Sequence, residues 1–173
     1  QATYLDKAGV IGAARTMIMD EIAWAIRFGA ESAGKDQPVT LVATDTHPGN
    51  YLVDARGKAI LVDVEKMLYG SPAIDLAHAT LYTSTTWDVD SYAELRPEQV
   101  ALAYATWCDH FGESALWRPW LLPLRAAMWL WAATWCAKWR VLSGRPAAAG
   151  ADGEDWASAN SDDQTRFCCK IMT

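Results

Sequence analysis

At 173 residues, with 51% hydrophobic and 21% charged residues, the chain is long enough to bury a core and has the balance of an ordinary globular domain. A formal net charge of −6 without any evident cluster of Lys and Arg argues against a nucleic-acid binder, disfavours anionic partners and tolerates cationic ones. The longest apolar stretch, residues 126–137, falls short of the roughly 18 residues that a membrane span requires, and no basic-then-apolar leader opens the sequence, so no membrane partner is expected.

Cys108, Cys136, Cys168 and Cys169 show no C-x-x-C spacing, and the adjacent pair is poorly placed to bridge to itself. Neither zinc nor a disulfide framework is indicated, and a reducing, cytoplasmic home is expected. The sequence opens at Gln1 directly into an amphipathic pattern, as a domain cut from a longer chain would.

Over residues 6–28, Val10, Ala14, Met17, Ile18, Ile22, Ala25 and Ile26 recur at steps of three and four, which predicts a helix buried along that stripe. Gly29 and Gly34 are its expected stop, and residues 39–42, after Pro38, read as a short buried strand or an extended lead-in. Two short apolar runs, residues 51–53 and 59–62, then flank Asp54-Ala55-Arg56-Gly57-Lys58 and predict a β-hairpin.

Beyond Pro72 the pattern turns helical, with Ile74, Leu76, Ala77 and Leu81 apolar. Pro97 suits the first turn of a helix carrying Val100, Tyr104, Trp107, Cys108 and Phe111 and ending at Gly112. A longer helix is predicted to begin near Pro119 or Pro123 and to run through Trp131, Trp135 and Trp139 to Leu142, with Gly144 and Pro146 as its stop. Residues 147–160 read as a loop, and Ser161-Asp162-Asp163-Gln164 has capping-box spacing ahead of a short last helix. The expectation is one largely α domain, 1–173, carrying one small β element.

The chemistry concentrates between the first helix and the second. Asp45 and Asn50 stand in a D-x-x-x-x-N spacing within a loop that holds Pro48 and Gly49, and the hairpin returns the chain to Asp63. Phosphoryl transfer needs this combination: one Asp to reach the acceptor hydroxyl, and an Asn and a second Asp to hold the Mg²⁺ that bridges the phosphates. The spacing alone is weak evidence. A hairpin that brings Asn50 beside Asp63 makes it strong.

Ala43-Thr44-Asp45-Thr46-His47-Pro48-Gly49-Asn50 resembles the H-G-D-x-H-P-G-N catalytic loop of the aminoglycoside phosphotransferase/choline kinase-like family. Val62-Asp63-Val64-Glu65, Tyr69-Gly70-Ser71-Pro72 and Asp75-Leu76-Ala77 are similar to its I-D-x-E, Y-G-x-P and D-L-A signatures, so the match spans residues 41–77. The resemblance implies a protein kinase-like C-terminal lobe, mainly α (α+β), acting with ATP and Mg²⁺ on a hydroxyl of a small-molecule acceptor: an aminoglycoside, an amino alcohol or a sugar. It implies Asp45 as the catalytic residue, Asn50 and Asp63 as ligands of the metal-bound nucleotide, and Asp75 as a structural residue fixing the loop through backbone N–H groups. Ala43 departs from the family's usual His at the first loop position. No Gly-rich phosphate loop or strand-borne ATP-binding Lys is present, so the N-terminal lobe of the same protein is an implied partner and unaided ATP turnover is not expected.

Blander readings compete at each position. Asp and Asn are common in turns for their own sake, but three placements agree at Asp45, Asn50 and Asp63. His47 is expected to bond backbone and shape its turn. Glu65, two residues past Asp63, shares its face if the segment is extended and could assist a metal or meet a cationic substrate; a solvated strand end serves equally. Asp75 would also be a good helix N-cap. Asp88, Asp90 and Asp109 could line an acidic acceptor pocket, though isolated surface acids need no such role. The spacing of Trp131, Trp135 and Trp139 favours core packing over an aromatic cage for a quaternary ammonium. Cys168-Cys169 reads as packed rather than redox-active. The main alternative, of a different class, is a pseudokinase-type binding or scaffold domain that keeps the fold without the activity.

Overall fold

The computed structural model describes residues 1–87, 91–111 and 114–143. Gly112, Gly144, Pro146, the loop expected over residues 147–160, the last helix, Asp88, Asp90, Cys168 and Cys169 lie outside them. The described residues divide into two compact units, one of residues 1–33 with 129–143 and one within Gly34–Met128.

In the first unit a 3-10 turn, Ala2–Tyr4, leads into turns that bury Leu5, Ala8 and Val10. The helix α1 covers Gly12–Ser32, so it starts six residues later than the periodicity suggests. Gly9 and Gly12, at φ of +75° and +59°, place left-handed backbone before and at its first residue, so right-handed helix cannot extend back toward Asp6. Gly29 does not stop it. An interior Gly costs about 1 kcal/mol relative to Ala, which a long helix absorbs. Termination comes at Ala33, whose N–H bonds the Gly29 carbonyl, followed by left-handed Gly34. The stripe expected to be buried is so only in part: Val10 and Ile18 are buried and Ala14, Ile22 and Ala25 half-buried, while Met17 and Ile26 are exposed.

The helix α5, Ser114–Ser143, ends in this unit. It begins before both Pro119 and Pro123 and carries them inside, where each lacks an N–H to donate, so neither proline marks the start. Of the tryptophan stripe Trp131 is exposed while Trp135 and Trp139 are half-buried, and the most buried places nearby go to Leu130 and to the smaller Ala132, Ala133, Thr134, Cys136 and Ala137.

The second unit holds two two-stranded antiparallel sheets rather than one hairpin. Strand β2, Tyr51–Val53, pairs with β3, Ala59–Leu61, as expected, with Tyr51 opposite Leu61 and Val53 opposite Ala59. Its turn is built by Asp54, whose Oδ1 accepts from the N–H of Arg56 and Lys58, and by left-handed Gly57. Strand β1, Thr40–Val42, pairs with β4, Leu68–Gly70, which the sequence reading did not foresee. Only Val42 of β1 is buried; Val39 and Leu41 are exposed, so the strand is not a core strand.

Helix α2, Ala73–Thr80, is followed by a one-turn helix α3, Tyr82–Thr85. Helix α4 covers Pro97–His110, with the Gln99 side chain accepting from the Arg96 N–H at its start. Ala73 and Leu76 of α2 pack with Leu121 of α5, and Tyr104, Trp107, Cys108 and Leu124 close over them. Arg125 extends over the Tyr104 ring and donates to the Thr80 hydroxyl and carbonyl at the C-terminus of α2, where a cation meets the negative end of the helix. The interior of this unit therefore anchors α2, the helix on which the loop of residues 43–50 rests. No helix among the described residues is long and apolar enough to cross a membrane.

Candidate active site

The loop begins where β1 ends, and α2 holds it from below. Both oxygens of Asp75 accept backbone hydrogen bonds, Oδ2 from Ala43 N–H and Oδ1 from Thr44 N–H, each at 2.8 Å. One helical turn on, His78 Nδ1 accepts from Thr46 N–H at 3.1 Å, and the Thr46 hydroxyl lies 3.0 Å from the Asp75 carbonyl. Residues three apart on a helix share a face, which is why Asp75 and His78 meet the same loop. Burial pushes the His78 imidazole below the usual histidine pKa, with the negative charge of Asp45 opposing, so the ring sits neutral as an acceptor at Nδ1.

These bonds fix the backbone on either side of Asp45. Its side chain is partly buried, with Lys66 Nζ 2.5 Å from Oδ2 and His47 Nε2 4.0 Å from Oδ1. Burial raises the carboxyl pKa, but the hydrogen bond and the charge of Lys66 outweigh it and hold Asp45 below the usual aspartate range. His47 opens the 3-10 turn Pro48–Asn50 by accepting the Gly49 N–H at Nδ1, 3.2 Å away. Asn50 is buried and donates Nδ2–H to the Asp45 carbonyl at 2.8 Å. That donation fixes the plane of the amide.

Register supplies the rest. Continuing the β2–β3 ladder by one pair sets Asn50 against Val62, and the Val62 N–H indeed donates to the Asn50 carbonyl at 2.8 Å. Asp63 is the next residue, exposed and at φ +59°, a conformation that Asp tolerates better than most residues. Glu65 is not in an extended segment. A turn closed by Met67 N–H on the Val64 carbonyl runs through it, so alternation from Asp63 does not set the direction of this exposed side chain. Asp109 is exposed on α4. Among the described residues no three His, Cys, Asp or Glu side chains cluster as a metal site.

Residues 11–117, more than half of the chain, match the phosphotransferase enzyme family. The chain belongs to this family. No curated protein and no solved structure matches the chain significantly.

Three residues of this candidate site in the phosphotransferase-family chain are not singled out by the sequence motifs. His78 carries a signal, standing three residues past Asp75 on an expected helix. Thr44 stands where the family loop pattern has Gly, and its φ of +63° is the reason Gly suits that place: a β-branched residue there is a genuine outlier. Lys66 carries no signal in its spacing. It reaches Asp45 because of the β1–β4 pairing, whose register pairs Val42 with Leu68 and, two residues on, faces Thr44 toward Lys66. The Thr44 hydroxyl donates to the Lys66 carbonyl at 3.1 Å.

Proposed function

We propose that the chain is the catalytic-loop lobe of a kinase-like phosphotransferase that moves the γ-phosphoryl group of ATP to a hydroxyl of a small molecule such as an aminoglycoside, amino alcohol or sugar. The observation that carries this reading is a carboxylate, Asp45, held ionised on a backbone pinned by α2, together with a buried Asn50 whose amide donates to the Asp45 carbonyl and whose own carbonyl pairs with Val62, the residue before Asp63.

The residues fit a hard cation bound in the way Mg²⁺ prefers. One amide oxygen and one carboxylate, Asn50 and Asp63, are the set expected when phosphate oxygens and water complete the shell, and Glu65 is exposed two residues further along the chain. When bound, the Mg²⁺-nucleotide supplies the phosphoryl group and the charge that offsets its negative oxygens. Asp45 orients the acceptor hydroxyl and takes its proton as the oxygen bonds to phosphorus and the bond to the departing diphosphate breaks. His47, through Gly49, and Asp75, through Ala43 and Thr44, hold the loop in the shape this requires. Exposed apolar residues on the strands, among them Leu41, Leu52, Val53, Leu68 and Tyr69, offer surface for a nucleotide-holding N-terminal lobe of the same protein to cover.

A second reading, a pseudokinase-type binding or scaffold domain, is favoured by the two departures from the family loop, Ala43 and Thr44. One experiment separates them. ATP consumption by the full-length protein is measured with Mg²⁺ against an aminoglycoside, choline, homoserine and glucose, with Asp63→Ala as control. Turnover with one acceptor that disappears in the control supports the kinase; no turnover and no Mg²⁺-dependent ATP binding rejects it in favour of the scaffold.

A further inference from the structure

Lys66 grips the loop at two adjacent residues by two different means. Its ammonium group lies 2.5 Å from Asp45 Oδ2, and its backbone carbonyl accepts the Thr44 hydroxyl at 3.1 Å. Both follow from one cause, the β1–β4 register that faces Thr44 toward Lys66. The hydroxyl contact exists only because this chain carries Thr, and not Gly, at the left-handed position before Asp45.

We propose that Lys66 is a positioning residue for Asp45: resting on the phosphotransferase reading, it holds Oδ2 of the carboxylate so that Oδ1 faces the acceptor hydroxyl, and its bond with Thr44 steadies a loop whose first two positions, Ala43 and Thr44, depart from the family pattern. A carboxylate free to rotate presents either oxygen in many directions. Pinning one oxygen by a charge-assisted bond leaves a single orientation for the other. Asp75 and His78 fix the loop's backbone, yet neither touches the Asp45 carboxylate. His47 approaches Oδ1 only to 4.0 Å and is itself engaged with Gly49. Lys66 is the group that sets the side-chain angle. Losing it costs the oriented fraction of the catalytic carboxylate, an effect on the chemical step rather than on substrate affinity.

The test uses the full-length protein with Mg²⁺-ATP, and water, an aminoglycoside, choline, homoserine and glucose as acceptors. Lys66→Met is expected to lower kcat about 10- to 100-fold, with KM for ATP and for the acceptor within about twofold, and Lys66→Arg is expected to recover most of the loss because it keeps the charge-assisted bond. Independently of turnover, the lysine ammonium ¹⁵N–¹H signal of Lys66 should be visible and slow to exchange in the unmodified protein and should vanish in Asp45→Asn. Unchanged kcat in Lys66→Met, or a fall that Arg does not restore, overturns the assignment while leaving the phosphotransferase reading intact. A Lys66 signal indifferent to Asp45→Asn overturns it without any assay of activity. An unmodified protein that consumes no ATP with any acceptor while showing that signal rejects the phosphotransferase reading itself, and the positioning role with it.

Discussion

The loop of residues 43–50 and the turn of residues 63–67 lie next to each other by strand register, yet they are held in opposite ways. The loop is tied into the unit's interior: Ala43, Thr46 and Asn50 are buried, and Asp75 and His78 bond three of its backbone N–H groups. The turn is exposed from Asp63 to Met67 and reaches the loop through Lys66. A catalytic carboxylate must already be in place when substrate arrives, whereas a residue that meets a metal-bound nucleotide gains its remaining contacts from the ligand. On the proposed function the two regions would divide those tasks, and substitutions in each should fail differently.

The largest effect is expected at Asp75. Removing its carboxylate in Asp75→Ala strands two N–H groups, one on a buried residue, and the loss should be about 2–4 kcal/mol in urea unfolding, with phosphotransfer abolished as the loop relaxes. A change below about 0.5 kcal/mol would show that the loop is held by something other than α2. Asp63→Gly should separate the regions most clearly. Gly adopts a φ of +59° without strain, so stability should hold or rise by up to about 1 kcal/mol while Mg²⁺-dependent turnover is lost. A destabilised Asp63→Gly protein would mean that the turn is as firmly built as the loop.

The difference between the regions also explains what could be read from the sequence. The hairpin and the helix after Pro72 were legible because local spacing and turn chemistry fix them: Asp54 and Gly57 build the hairpin, and the hairpin brings the chain back so that Asp63 follows the residue paired with Asn50, while the hold of Asp75 on the loop's backbone was legible only through the family resemblance. The β1–β4 pair was not, because three-residue strands with mixed exposure carry no period. Lys66 was hidden for the same reason, its partner 21 residues away being set by that pairing. The helix bounds were missed where a residue's usual preference was overruled, with Gly29, Pro119 and Pro123 all inside helices. The buried face of α5 was read only in part: Leu121 is buried and Trp135 and Trp139 half-buried, but a Trp at helical spacing looks like core even where, as at Trp131, it is exposed and smaller neighbours are buried.

A smaller effect tests the buried side of the comparison by pH. His78 is neutral and accepts the Thr46 N–H, and its pKa is lowered by burial, so the folded protein binds a proton less readily there than the unfolded chain. Its contribution to stability is present in full above the usual histidine pKa and is lost as pH falls toward the folded value. The melting temperature should therefore drop between pH 7.5 and 5.5 by more than in His78→Gln, whose amide oxygen can accept the same N–H without titrating. Equal drops in the two proteins would remove His78 from the account.

The smallest effect belongs outside both regions and serves as their control. Gly29 lies in the interior of α1 with an ordinary backbone, and a methyl group added there meets nothing within 4 Å. Gly29→Ala should stabilise the protein by about 0.5–1 kcal/mol, chiefly by restricting the unfolded chain. Because α1 and the loop of residues 43–50 belong to different compact units, phosphotransfer should not change with it. If Gly29→Ala instead altered kcat while Asp63→Gly did not, the residues that govern turnover would have to be sought in the first unit rather than at Asp45, Asn50 and Asp63.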